Sequence, residues 1–296
     1  MSTVHCLTIQ LIAYLQLVKK TASRNSSTSP DRAHLMRRIT YLISSFIIFA
    51  TCSVSSHALT DAEAVNVSGS QRMLSQRMMK SYLMLGADIK ADEAQKQLAE
   101  SITLFEERLA ALKVYAPSKP IRDRLTKVES LWKEHHQKIV SAPNKDILET
   151  LMAENVELLK ACHQVVLAIA EHSGGAGAEL VNVSGRQRML SQRIAKAYIA
   201  LYWKGKSAHV QKEFEDAKQQ FASALTKLQR SPLNTTQVSE ALSKVESQWK
   251  FSQSGFELDE NGHYVPTIIS VTTESILWKM NDITKMYENI MEAQNS

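Results

Sequence analysis

From about residue 59 onward, apolar residues recur at three- and four-residue spacing, which predicts helices throughout. Met73, Met78 and Leu85 begin the series, and Leu98, Ile102, Phe105 and Leu109 continue it. Pro117 and Pro120 then break the chain before Ile121, Leu125, Val128 and Trp132. A second break at Pro143-Asn144 precedes Ile147, Leu151, Val156 and Leu159 through Ile169. Pro is tolerated at a helix start but not inside one, so these breaks read as inter-helix turns. Four helices and three breaks predict an antiparallel four-helix bundle.

The pattern then repeats. VNVSGSQRMLSQRMMKSYLML at 65–85 matches VNVSGRQRMLSQRIAKAYIAL at 181–201 at 15 of 21 positions, an offset of 116. KVESLWK at 127–133 returns as KVESQWK at 244–250. Two echoes in one order at nearly one offset indicate duplication. The expected organisation is therefore all-α, with two tandem four-helix units at 59–173 and 178–296. Ser173-Gly174-Gly175-Ala176-Gly177 is the joint, and Ser252 to Pro266 is a longer loop in the second unit.

Composition supports this: nine Gly and six Pro in 296 residues are too few for a turn-rich β-sandwich. Charge matters by its location. The formal net charge is +5, but six of the 35 basic residues and only one of the 30 acids precede residue 59. The body is balanced, so no nucleic-acid partner is expected. Met36 to Ala58 reads as a secretory signal peptide. Arg37 and Arg38 lead a mostly apolar run from Ile39 to Val54, and Ser56-His57-Ala58 ends it. The expectation is a periplasmic protein released by cleavage before Leu59, with anchoring by an uncleaved leader as the alternative. Residues 1–35 are expected to be a spurious or disordered extension, with Met36 as the start. Cleavage would leave Cys162 as the single thiol, excluding an internal disulfide.

The repeated box carries the chemistry. Asn66 or Ser68 is expected to cap the first helix. Arg72 shares a helical stripe with Ser68, Ser75, Gln76, Met79 and Leu83, facing a partner helix. Arg77 lies about 140° away at ~100° per residue, and it is expected with Lys80 on a more solvated side. An arginine removed from water needs an anion, because deprotonation is not available to it. Either a neighbouring Glu supplies it or a small anion bridges two such arginines. Other constellations are poor in chemistry. Adjacent His135 and His136 diverge, Cys162-His163 has no acid partner, and no histidine spacing suits a metal. Trp132, Trp249 and the methionines at 73, 78, 79 and 84 read as core. No enzyme, metal or cofactor is expected.

The string N-V-S-G-x-Q-R-M-L-S-Q-R resembles the N-terminal sensory domains of PilJ-type chemotaxis transducers and of NarX-like nitrate/nitrite sensors. The resemblance implies a helical bundle whose first helix carries a ligand-binding arginine. It places that role at Arg72 and Arg188, with Gly69 and Gly185 as the box glycines. Ser68, Ser184, Ser75 and Ser191 complete the expected ligand-binding set. Gln71 and Gln187 stand where the nitrate sensors have Leu. The functional expectation is an exported sensory protein that binds a nitrate/nitrite-like anion or a carboxylate and signals to a partner, for which a membrane-bound signalling protein is one candidate. The alternative is a structural or protein-interaction bundle with its arginines in ion pairs. Equivalent boxes further predict that the two first helices face each other, with one anion between Arg72 and Arg188; two bundles stacked end to end on the Gly-rich joint are the alternative.

Overall fold

A computed structural model describes residues 58–205, 207–256 and 265–295. The leader, residues 1–57, and most of the Ser252 to Pro266 loop lie outside the described residues. The eight described elements are all helices: α1 (Asp61–Gly86), α2 (Ala91–Tyr115), α3 (Lys119–Ile139), α4 (Leu148–Ser173), α5 (Gly175–Lys204), α6 (Ala208–Gln229), α7 (Thr236–Gln253) and α8 (Pro266–Asn295). The fold is all-α. Helices α1 to α4 pack as one four-helix bundle and α5 to α8 as a second. The bundles lie side by side in one compact unit beginning at Ala58, joined chiefly where α1 packs on α5.

Local chemistry sets the boundaries. Thr60 caps α1 reciprocally: its hydroxyl accepts from the Glu63 N–H at 3.1 Å, while the Glu63 carboxylate accepts from the Thr60 N–H at 2.9 Å. The expected caps Asn66 and Ser68 instead lie inside the helix, because the capping box begins it a turn or more earlier. Pro120 falls in the first turn of α3, where no helical N–H is lost. The expected glycine joint is also narrower than its composition implied. Gly174 alone separates α4 from α5, at φ 68°, a left-handed value that a side chain resists. Gly177 is instead part of α5, and a Cβ there would meet the Met291 Cβ at 2.8 Å. It permits close packing of α8.

Burial separates two kinds of helix. On α3 only six of 21 residues are buried: Ile121, Leu125, Val128, Trp132, His135 and Ile139, a single stripe. On α1, by contrast, 20 of 26 residues are buried, including every residue from Ser68 to Met84. Helix α1 packs against α2 and α4 of its own bundle and against α5 and α8 of the other. It is surrounded, and so is α5. The repeated box, polar as it is, therefore runs through the centre of the molecule.

The duplication is visible in the packing. Gln71 donates to the Phe105 carbonyl at 3.0 Å, and Gln187 to the Phe221 carbonyl at 2.8 Å. Trp132 stacks on Phe105 with ring centroids 4.5 Å apart, and Trp249 on Phe221 at 4.4 Å. Both tryptophans are core residues, as are Met73, Met78, Met79 and Met84. Helices α1 and α5 run in the same direction, since Asn66, early in α1, meets Arg188 midway along α5, and Gly86 meets the Trp203 ring where both helices end. This parallel pairing places equivalent box residues opposite one another.

Candidate functional site

Where α1 crosses α5, Gly69 and Gly185 remove the side chains that would separate the helices. The space is taken by guanidinium groups. A Cβ on Gly69 would lie 3.5 Å from a terminal nitrogen of Arg72 and 3.5 Å from one of Arg188; on Gly185 the values are 3.7 and 3.2 Å. The two charges thus share one glycine floor, their nearest terminal nitrogens no more than about 7 Å apart, where repulsion is strong once water is excluded. Water is excluded: Arg72 is 0% and Arg188 2% exposed.

Each arginine reaches across to the other repeat. Arg72 donates to the Asn182 carbonyl at 3.2 Å, and Arg188 to the Asn66 carbonyl at 3.2 Å. Asn66 and Asn182 are the same box position, so the crossing has two-fold pseudosymmetry. The last helix of each bundle closes its own half. Arg72 donates to His163 Nδ1 on α4 at 3.1 Å, and Arg188 to Asn281 Oδ1 on α8 at 2.9 Å. Arg188 also donates to Asn66 Oδ1 at 2.7 Å. Asn66, Asn182, His163 and Asn281 are all half-buried, forming a polar rim between the arginines and solvent.

This rim holds no counter-charge. Among the described residues neither arginine makes a salt bridge; every acceptor is neutral. Glu288 accepts from the Asn66 side-chain amide rather than from a guanidinium. Nε of Arg72 and Nε of Arg188 are both buried without a hydrogen-bond partner. Burial, then the like charge of Arg186, pulls Arg72 down to about 9. Burial, then Arg108 and Arg72, pulls Arg188 down to about 9 against a smaller opposing pull from Glu288. Four guanidinium groups therefore act on one another around this seam. Burial likewise holds His163 down to about 4, reinforced by Arg72 and Arg186. It is neutral, and its Nδ1 is the acceptor.

The second arginines behave oppositely, and the expectation of a solvated side for Arg77 and Lys80 is corrected. Both are buried, at 5% and 0% exposed, because α8 of the other bundle covers that face. Glu274 on α8 neutralises them, accepting from Arg77 at 2.7 Å and from Lys80 at 2.7 Å. In the second repeat Glu213 on α6 takes Arg193 and Lys196, each at 2.8 Å. The ion-pair alternative thus describes Arg77 and Arg193 and does not describe Arg72 and Arg188.

The structure brings Arg72, Arg188, Gly69 and Gly185 together. The four expected serines are buried in the same helices, but their hydroxyls donate to carbonyls of their own helix: Ser68 to Val65, Ser75 to Arg72, Ser184 to Val181 and Ser191 to Arg188. Their protons are engaged locally. Residues that the sequence reading missed are Asn182, His163 and Asn281, together with Asn66 in any role but a cap. The asparagines at 66 and 182 were discoverable, being invariant between the two boxes; His163 and Asn281 differ and left no such trace. Cys162 is buried, and burial pushes its thiol up to about 12, far from a nucleophilic thiolate. Among the described residues, neither arginine lines the surface cavities beside Trp249, Met152, Pro232 and Trp132.

No curated protein and no solved structure matched the chain. The PilJ family, described as Type IV pili methyl-accepting chemotaxis transducer N-term, matches residues 53–154 and 171–255, one segment in each repeat. That match spans more than half of the chain and includes both arginine boxes, so the protein belongs to the PilJ family of sensory signalling domains.

Proposed function

We propose that this protein is an exported sensory module that takes one small planar oxyanion, nitrate-like or a carboxylate, between Arg72 and Arg188. One observation carries the reading. Two fully buried guanidinium groups share a floor and have no carboxylate, and each keeps an unpartnered Nε–H. A buried charge without a counter-ion costs several kcal/mol, and planar guanidinium forks match flat oxyanions bidentately. An anion seated there would satisfy both Nε–H groups and relieve the repulsion.

The same arrangement supplies a signal. With the arginines sealed among α1, α5 and the rim, an anion reaches them only as the helices or the rim shift. Binding would then favour one packing of α1 on α5 over another, a population shift that a partner reads. A membrane-bound signalling protein suits that role, and residues 36–58 are proposed to direct export. The glutamines that replace Leu at 71 and 187 are held by carbonyls of α2 and α6, so they do not themselves argue for nitrate over formate or acetate.

The test is thermal unfolding of the purified protein with nitrate, nitrite, formate and acetate. A binding anion is expected to stabilise by about 2.7 kcal/mol at a hundredfold excess over Kd. No shift with any of the four, beyond that of matched ionic strength, contradicts the reading and supports a purely structural bundle.

A further inference from the structure

The two halves of the arginine seam are built alike but differ at two places: Arg188 alone also donates to a box side chain, Asn66 Oδ1, whereas Asn182 Oδ1 is buried without a partner, and the acceptors on the last helices differ in kind. Arg72 and Arg188 each donate across to a backbone carbonyl at the same box position, and each donates again to the last helix of its own bundle. On α8 that last acceptor is an amide, Asn281, which does not titrate. On α4 it is an imidazole, His163, the one side chain at the site whose ordinary pKa lies near neutrality. From this geometry we infer that His163 is a proton-coupled latch: when an anion occupies the seam, His163 takes up one proton, so the protein binds the anion more tightly as pH falls. The inference rests on the anion reading above.

The atoms account for the step. Arg72 Nη1–H donates to His163 Nδ1, which places the imidazole proton on Nε2. Nδ1 cannot be protonated while it accepts that bond. An incoming anion competes for the Arg72 N–H groups, and the guanidinium turns toward it. Nδ1 is released. A proton from solvent then adds to its lone pair, and the new N–H is free to donate to the anion. No covalent bond to the ligand forms.

Electrostatics gives the direction. The charged groups that act on His163 are Arg72 from α1 and Arg186 from α5; Cys162, adjacent on α4, is neutral. Partial burial, then Arg72 and Arg186, hold the imidazole down to about 4, so it is neutral. An anion adds an opposite charge beside it and raises that value. Between the anion-free and occupied values binding takes up a proton, and affinity rises by at most tenfold per pH unit as pH falls. Above the occupied value the dependence vanishes. His163 is half-buried, so protons have access.

The experiment is isothermal titration of the full chain with nitrate, nitrite or formate, between about pH 5.5 and 7.5. None of these anions takes up appreciable protons over that range. Each titration is run in two buffers of different ionisation enthalpy, so that the difference in heat counts protons. The wild type should take up protons at the acid end and bind several-fold more tightly there than at pH 7.5. His163→Asn, which copies the Asn281 half, should still bind with no proton uptake and a flat pH profile. Anion binding without proton uptake in the wild type overturns the latch alone, and so does unchanged uptake in His163→Asn. If no anion binds at any pH, the seam is not an anion site and the latch falls with it.

Discussion

Two sets of cations, buried except for the half-buried Arg193, lie about two turns apart on the same helix in each repeat, and they have opposite company. Arg77 and Lys80 share the carboxylate of Glu274, and Arg193 and Lys196 share that of Glu213. Arg72 and Arg188 have backbone carbonyls, an imidazole and two amides. The first arrangement is complete within the protein. The second has no carboxylate in direct contact; Glu288 reaches Arg188 only by way of Asn66. Burial alone therefore does not distinguish a structural arginine from a functional one; the charge balance of its surroundings does.

The largest expected effect lies in the complete clusters. Glu274→Gln leaves Lys80 buried without its carboxylate and Arg77 with only the exposed Glu100 at 3.9 Å, and should cost about 3–5 kcal/mol in chemical denaturation. Arg72→Met removes a buried charge that has no counter-charge, so the anion-free protein should lose far less, and relief of repulsion works in its favour. Equal losses from the two substitutions would erase the comparison. Acid gives the same contrast without mutation. Burial alone would raise the Glu213 carboxyl, but Lys196 and Arg193 outweigh it and hold it down at about 2. Its folded pKa is depressed, so its contribution is fully present above about pH 4.5 and is lost as pH falls toward 2. Arg72 and Arg188 contribute nothing to that loss, since both stay charged throughout; the seam's own acid response comes from His163, as pH falls from about 6.5 toward 4.

A smaller effect sharpens the seam itself. Gly69→Ala places a methyl group 3.5 Å from both guanidiniums, an ordinary contact that occupies the floor without a clash. Mid-helix Gly→Ala favours the helix by about 0.5–1 kcal/mol. The variant should therefore match or exceed wild-type stability while binding anion more weakly. Gly185→Ala, at 3.2 Å from Arg188, should weaken binding more. Thermal unfolding with and without nitrate measures both quantities in one series, and unchanged anion stabilisation in both variants would remove the floor from the site.

How much of this was legible depends on the range of the interaction. Helix existence, the breaks at Pro117 and Pro143, and the core placement of Trp132 and Trp249 follow from local spacing and were readable directly. The pairing of Arg72 with Arg188 was readable because the box is duplicated. The position of Arg77 was misjudged because solvation was inferred from one helix, whereas its cover and counter-ion come from α8, 197 residues away. Glu213 and Glu274 both lie in the second repeat, on α6 and α8, so no internal echo marks them. Asn66 was taken for a cap because its residue type favours caps. Only the observed start of α1 at Asp61 frees it to reach Arg188.

The central claim is that the two arginines form one shared anion site. Isothermal titration of the purified protein with its best-stabilising anion measures this as a stoichiometry. The account predicts one anion per chain in the wild type and none in either Arg72→Ala or Arg188→Ala, with Arg77→Ala binding at full stoichiometry if its fold survives. Two anions per chain, or single variants that each keep half the sites at unchanged affinity, would contradict it.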